Sequence, residues 1–190
     1  MTLYDDQYKV ACHDELLIVV DKDDQVIDYK NRLECHQGNG LLHRAFSIFI
    51  FEGGKVLVPK RSRHKQLWPL YWSNSCCSHP RKGEDLQAAA QRRLAEELGM
   101  SAPLKYLYTF QYQASYRDIG IEREVCSVYI GRSCDEIAAN PWEVAEWKYI
   151  AINDLTIDMD RHPEKYTPWF KLEWQKLVGE YLDEISTLTL

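Results

Sequence analysis

Asn74-Ser75-Cys76-Cys77-Ser78-His79-Pro80, running on to Arg92-Arg93-Leu94-Ala95-Glu96-Glu97-Leu98-Gly99, is the stretch on which the reading of this chain turns. Its first part reads as a loop, because Asn, Ser and Pro compete with regular backbone hydrogen bonding. That loop carries a thiol and an imidazole two residues apart, at Cys77 and His79. The second part reads as a helix over residues 85–98: Leu86, Ala90, Leu94 and Leu98 recur every fourth residue, and Gly99 stands where a C-terminal cap belongs. Arg93 and Glu97 lie one turn apart, so they share a flank of that helix. A loop with reactive groups feeding a helix with charges on one face is the layout of a site.

Outward from this stretch the chain reads mostly as strands. Residues 15–29 form a hairpin turning at Asp21-Lys22-Asp23-Asp24, and residues 44–51 turn at Glu52-Gly53-Gly54 into Lys55-Val56-Leu57-Val58. A Tyr- and Phe-rich strand over 104–117 returns, past Asp118 and Gly120, as Glu122 to Tyr129, and Glu146 to Ile150 is a further strand. A closing helix begins with Thr167 as N-cap and Pro168 at the first helical position. With only two substantial helices among the strands, the expected class is α/β (α+β), a mixed sheet sandwiched between helices. No linker is visible, so residues 1–190 read as a single domain with a core at about 30–172 and a C-terminal helix at 168–186.

Composition narrows the function classes. A hydrophobic fraction of 45% and a charged fraction of 27% are those of an ordinary globular protein. A formal net charge of −6 argues against broad nucleic-acid binding. No apolar run approaches transmembrane length, and Phe46 to Phe51 reads as a buried strand. The acidic N-terminus, Met1 to Asp6, lacks an apolar signal core, so a cytoplasmic location with six reduced cysteines is expected.

Four constellations carry chemistry. His36, His43 and His79, with Glu122 and Glu124 alternating onto one face of a strand, offer imidazoles and carboxylates for a divalent cation. Residue types alone also allow unrelated surface histidines and a solvated Glu pair. Cys77 and Cys76 stand near Arg61, Arg63, Lys65 and His79, positive groups able to lower a thiol pKa, though most free cysteines are small buried hydrophobes. Arg32, Arg61, Arg63, Lys65, Arg92 and Arg93 are basic clusters in an acidic chain, which suits a diphosphate; a solvated face is the better account of Arg92. Trp68, Trp72, Tyr112, Tyr116 and Trp169 supply aromatic faces able to stabilise a cation, and core packing accounts for most of them.

Residues 78–100 resemble the Nudix box, Gly-x5-Glu-x7-Arg-Glu-Leu-x-Glu-Glu-x-Gly: Glu84, Arg92, Leu94, Glu96, Glu97 and Gly99 fit. Ser78 replaces the first Gly, and Arg93 replaces the first metal-binding Glu. A cation there repels the Mg²⁺ that hydrolysis needs. With Asn74-Ser-Cys-Cys-Ser-His-Pro and Glu122-Arg-Glu-Val-Cys, those departures resemble type I isopentenyl-diphosphate isomerase, a Nudix-fold family that does not hydrolyse. The resemblance spans about residues 30–172, with His-x6-His, Asn-Ser-x-Cys-x-His-Pro, Glu-Leu-Gly, Tyr-x9-Glu-x-Glu and Pro-Trp in the family's order.

The resemblance implies a metal held by His36, His43, His79, Glu122 and Glu124, and a second Mg²⁺ on the substrate diphosphate held with the help of Glu97. It implies Cys77, rather than Cys76, as the catalytic thiol. Glu124, Tyr112 and Trp169 complete the catalytic set, and Arg32, Arg61, Lys65 and Arg93 face phosphate. The cofactor expected is Mg²⁺ or Mn²⁺, with Zn²⁺ compatible with the imidazoles; no flavin or nicotinamide is expected, and no dinucleotide fingerprint is present. The implied partner is a small allylic or homoallylic diphosphate, with no nucleic acid and no membrane. Two rivals stand beside it. A Nudix pyrophosphohydrolase would release phosphate, and a non-catalytic binding module would take up no deuterium from D₂O.

Overall fold

Runs of β-branched and aromatic residues build eight strands among the described residues, 15–189, of the computed structural model. They are β1 (Leu16–Val20), β2 (Val26–Asn31), β3 (His43–Glu52), β4 (Lys55–Arg61), β5 (Cys76–Ser78), β6 (Leu104–Tyr116), β7 (Gly120–Arg132) and β8 (Val144–Ala151). The helices are α1 (Arg32–His36), α2 (Leu86–Leu98), α3 (Ile152–Arg161), α4 (Pro168–Glu180) and α5 (Leu182–Thr189). The acidic N-terminal segment, with its expected lack of a signal core, lies outside the described residues. No helix among those described is long and apolar enough to cross a membrane.

β3 organises the sheet. The order is β2-β1-β3-β4-β8, with β5 and β7 also paired to β3, and β6 to β7. β3 and β4 are hydrogen-bonded only next to their turn, at Phe51↔Val56 and Glu52↔Lys55, and then diverge. The gap is filled by β5, antiparallel to β3 at Phe46↔Ser78, Ser47↔Cys77 and Ile48↔Cys76. Ser75 spans the split: its hydroxyl accepts from the Ile50 N–H at 2.8 Å and donates to the Leu57 carbonyl at 2.6 Å. The segment expected to be a loop is therefore partly a strand. Hydroxyl and amide side chains satisfy the backbone groups around it, which local composition alone does not disclose.

Alternation on β3 sorts the core into two layers. Phe46, Ile48 and Ile50 pack against Ala90, Leu94 and Leu98 of α2. Ala45, Phe49 and Phe51 pack with Leu155 and Met159 of α3, Phe170 and Trp174 of α4, and Ile185 of α5. This is the expected sandwich of a mixed sheet between helices. Asp85 caps α2 by accepting from the Gln87 and Ala88 N–H groups, and Gly99 ends it at φ 67°. A Cβ at Gly99 would lie 2.7 Å from Ala138 Cβ, so glycine is required there twice over.

Three local expectations need correction. α3 was not foreseen; its buried face is only Leu155 and Met159, too sparse to stand out after a strand. The closing helix does not run unbroken over 168–186 but divides at Tyr181, whose ring stacks on Tyr108 at 5.2 Å instead of continuing the helix. Thr167 holds the N-cap position, yet its side chain caps nothing, because its hydroxyl lies 3.1 Å from that of Ser73.

Candidate active site

Strand alternation and register gather most of the expected residues on the face of the sheet beneath α4. His43, Ala45 and Ser47 share that face of β3, as do Glu122, Glu124 and Cys126 of β7. Parallel pairing sets His43 beside Glu124, and antiparallel pairing sets Tyr112 of β6 on its other side. On β5, Cys77 stands opposite Ser47 on this face while Cys76 packs into the α2 layer. His79, two residues past Cys77, keeps the same parity, and α1 delivers His36 at its end.

One ligand atom from each of His36, His43, His79 and Glu122 falls within 4.8 Å of the others, and all four residues are buried. Such spacing suits donors around an ion at roughly 2.0–2.3 Å from each. The Nδ1 atoms of His36 and His43 face the Ile121 and Leu41 carbonyls at 3.0 and 2.7 Å. Donation there leaves each Nε2 as a lone pair. Those Nε2 atoms and Glu122 Oε2 are buried without a hydrogen-bond partner, as metal donors are in the absence of their ion. Burial, reinforced by its two neighbouring histidines, holds His43 well below the usual imidazole range; burial and then Arg32 do the same for His79. Neutral imidazoles are what an ion requires. Glu124 closes the cluster, with Oε1 2.9 Å from His79 Nε2 and 3.7 Å from His43 Nε2. The residues present fit a divalent cation.

Beside this cluster lies a cavity of about 20 Å³ lined by Arg32, Arg61, Cys77, His79, Tyr112, Glu124 and Trp169, among others. Tyr112 donates to Glu124 Oε2 at 2.7 Å. Burial, followed by the Glu124 and Glu122 charges, raises the Tyr112 phenol well above its ordinary value. Cys77 Sγ lies 3.9 Å from an Arg61 nitrogen, yet burial prevails and pushes the thiol up to about 12. Of the two readings left open for this thiol, burial therefore outweighs the nearby cations and favours the protonated form. Arg63 is exposed. Arg61 also donates to the Leu67 and Trp68 carbonyls at 2.8 and 3.1 Å, and its guanidinium lies 5.3 Å from the Trp169 ring.

Lys65, Arg93 and Glu97 are not among the cavity-lining residues. They join Glu143, which the sequence reading missed, in a buried ion cluster. One Arg93 nitrogen donates to Glu97 at 2.5 Å and to Glu143 at 2.8 Å, and Lys65 pairs with Glu143. Burial alone would raise the Glu143 carboxyl, but Lys65 and Arg93 hold it well below the usual range. Arg92 grips Glu84 with two hydrogen bonds, at 2.7 and 2.8 Å, and so acts in the fold rather than at a ligand. Trp68 meets Trp169 edge-on at 5.2 Å, whereas Trp72 lies under Lys148 and Lys60.

Glu173 of α4 was also not foreseen. It is 1% exposed, 3.6 Å from the Cys126 thiol, and burial pushes its carboxyl up to about 8. Between pH 4.5 and 8 the folded state therefore holds a proton that the unfolded state has released, so stability falls as pH rises through that window. Glu173→Gln is expected to flatten this slope and to gain a few kcal/mol over the parent at pH 8. Denaturant melts of both proteins at pH 5 and pH 8 check this.

A mixed β-sheet split beside its central strand, with one helix of the Glu84 to Gly99 pattern packed on one face, is the architecture of a NUDIX domain. Residues 41–170 match the model of that family. The fold is shared with the DR0079 protein of Deinococcus radiodurans, at TM-score 0.64 and 20% identity over 77% of this chain and 90% of that one. Isopentenyl-diphosphate Delta-isomerase 1 of Photorhabdus laumondii is 38% identical over 174 residues, 90% of this chain and 99% of its own. Isopentenyl-diphosphate Delta-isomerase of Serratia proteamaculans is 46% identical over 158 residues, 83% of this chain and 88% of its own. The chain belongs to the isopentenyl-diphosphate Delta-isomerase family of NUDIX-domain proteins.

Proposed function

We propose that this protein interconverts isopentenyl and dimethylallyl diphosphate by adding a proton to the terminal methylene carbon and removing one from C2, through a tertiary carbocation. The observation that carries the reading is one cavity lined by a thiol, a carboxylate–phenol pair and an indole face. Cys77 and Glu124 come from β5 and β7, which flank β3 on its two sides. That arrangement suits one proton transfer from each side of a flat alkene. Trp169 offers a π face that stabilises positive charge without capturing the cation as a nucleophile would. Tyr112 and Trp169, both buried, line the cavity with apolar ring surface, which disfavours the water that would turn the cation into an alcohol.

His36, His43, His79, Glu122 and Glu124 would hold Mg²⁺ or Mn²⁺, with Zn²⁺ compatible, and such an ion supplies fixed positive charge beside the Glu124 carboxylate. Arg32 and Arg61 at the cavity are suited to the diphosphate. Lys65, Arg93 and Glu97, paired with one another or with Glu143 in a buried ion cluster off the cavity lining, would reach a diphosphate or a second Mg²⁺ only by exchanging those partners. Arg93 at a position where hydrolytic NUDIX chemistry uses a carboxylate counts against phosphate release. The five described cysteines are all unbridged, which supports a reducing, cytoplasmic setting.

Proton NMR of isopentenyl diphosphate incubated with the protein and Mg²⁺ in D₂O tests the reading. The expected result is dimethylallyl diphosphate carrying deuterium; inorganic phosphate, or substrate unchanged, would overturn it. Replacements at Trp169 probe the cation. A desolvated cation–π contact is worth about 2 kcal/mol, so Trp169→Leu is expected to lose at least roughly thirtyfold in kcat while Trp169→Phe keeps measurable activity. Equal losses in the two variants, with equal drops in Tm, would mean packing instead.

A further inference from the structure

The strand that carries the thiol and the helix that carries the indole are tied together by a side chain with no part in the proton transfers. Asn74 is 1% exposed and precedes β5. Its Oδ1 accepts from Trp169 Nε1–H at 3.0 Å, and its Nδ2 donates to the Cys76 carbonyl at 2.8 Å. The Ser73 hydroxyl adds a second donor to Oδ1 at 3.0 Å. The amide orientation is forced, because the indole N–H can only donate and the Cys76 carbonyl can only accept.

The remaining contacts of the Trp169 ring do not define its position as sharply. Trp68 meets it edge-on at 5.2 Å, Tyr112 lies 6.2 Å away at a 36° tilt, and the Arg61 guanidinium lies 5.3 Å from the ring centre. Ring contacts of this kind tolerate sliding, whereas the indole N–H is the one directional handle the side chain has. The first turn of α4 lacks a side-chain cap of its own, since the Thr167 hydroxyl faces Ser73. Backbone bonds from Trp72 N to the Lys165 carbonyl and from Thr167 N to the Trp72 carbonyl hold the segments side by side. None of these reaches the ring.

We propose that Asn74 is a positioning residue: its amide sets the Trp169 indole against the strand bearing Cys77, so that the π face and the proton donor address the same substrate carbons. This rests on the reading of Trp169 as the group that stabilises the cation. A rigid amide two bonds from the backbone fixes a distance that a hydroxyl is too short to span. An Asp at 74 would instead set a charge against the Cys76 carbonyl. Misplacement by about 1 Å at a reacting centre can cost on the order of a hundredfold in rate.

The test is a cycle of Asn74→Ala and Trp169→Phe, alone and combined, in the metal-loaded protein. Phenylalanine has no N–H, so there the amide has no ring to hold. Asn74→Ala is expected to lower kcat by about ten- to a hundredfold with KM for isopentenyl diphosphate within about twofold. In the Trp169→Phe background the same change is expected to cost no more than about twofold. The Trp169 Nε1–H resonance of ¹⁵N-labelled protein is expected to shift in Asn74→Ala, whatever the rate does. Losses that add in full across the cycle, or that fall on KM, would overturn the proposal. If Asn74→Ala does not fold, Asn74→Gln keeps the amide and lengthens it by one methylene; wild-type kcat with an unshifted indole resonance would then overturn it. Wild-type rates in Trp169→Phe and Trp169→Leu would overturn the reading of Trp169 itself, a separate result.

Discussion

Cys77→Ala is expected to lose about a thousandfold or more in kcat, and Cys76→Ala to keep most of its turnover. The two residues are neighbours with the same side chain, so the contrast isolates direction. β5 pairs Cys77 with Ser47, on the face that continues into the cavity, and Cys76 with Ile48, in the layer covered by α2. Cys76 is 1% exposed and packs as a small hydrophobe, so its loss is expected in Tm rather than in rate. Steady-state rates and thermal melts of both variants decide the matter. Equal losses in kcat would refute the assignment.

Exhaustive chelation is expected to bring turnover below detection, and Mg²⁺ or Mn²⁺ to restore it. Without an ion, the Nε2 atoms of His36 and His43 and Oε2 of Glu122 remain buried and unsatisfied, so the loss extends to stability. At an ion concentration a thousandfold above Kd, the bound ion is worth about 4 kcal/mol to the folded state. Tm is therefore expected to fall on chelation and recover on addition of the ion. His43→Ala, which removes a fully buried donor at the centre of the cluster, is expected to lower metal content per chain together with rate. Full activity and an unchanged melt after chelation would overturn the metal's role.

The parts of this molecule that alternate were legible in its sequence. Glu122 and Glu124, and Cys77 and His79, are each two apart, and strands delivered both pairs to one face. Leu86 to Leu98 recur at helical spacing, and α2 follows. What escaped were features made by contacts distant along the chain. β5 is three residues long, and its partners are on a strand some thirty positions earlier. Glu143 reaches Lys65 and Arg93 because Asn140 N–H bonds to the Glu97 carbonyl and the Glu143 carbonyl accepts from Ser62 N–H. No local pattern announces such a bracket. The thiol pKa stayed open in the sequence for a related reason: charges can be counted in a sequence, but burial cannot, and at Cys77 burial is the larger effect.

The short β5 also has a kinetic side. A slip of one residue along β3 would exchange Cys76 for Cys77 and turn His79 away from the other imidazoles, while still placing one cysteine on each face of the sheet. The hydrophobic cost of that error is small, so polar pins must exclude it: the Ser75 hydroxyl between Ile50 and Leu57, and the Asn74 amide on the Cys76 carbonyl. β3 meanwhile waits for β7, which pairs with it in parallel some eighty residues later, and such long-range closure is slow. A chain closed in the slipped register would be compact but inactive. In Ser75→Ala the slipped fraction is expected to rise, so that refolded protein has normal far-UV circular dichroism and too few active sites per mole.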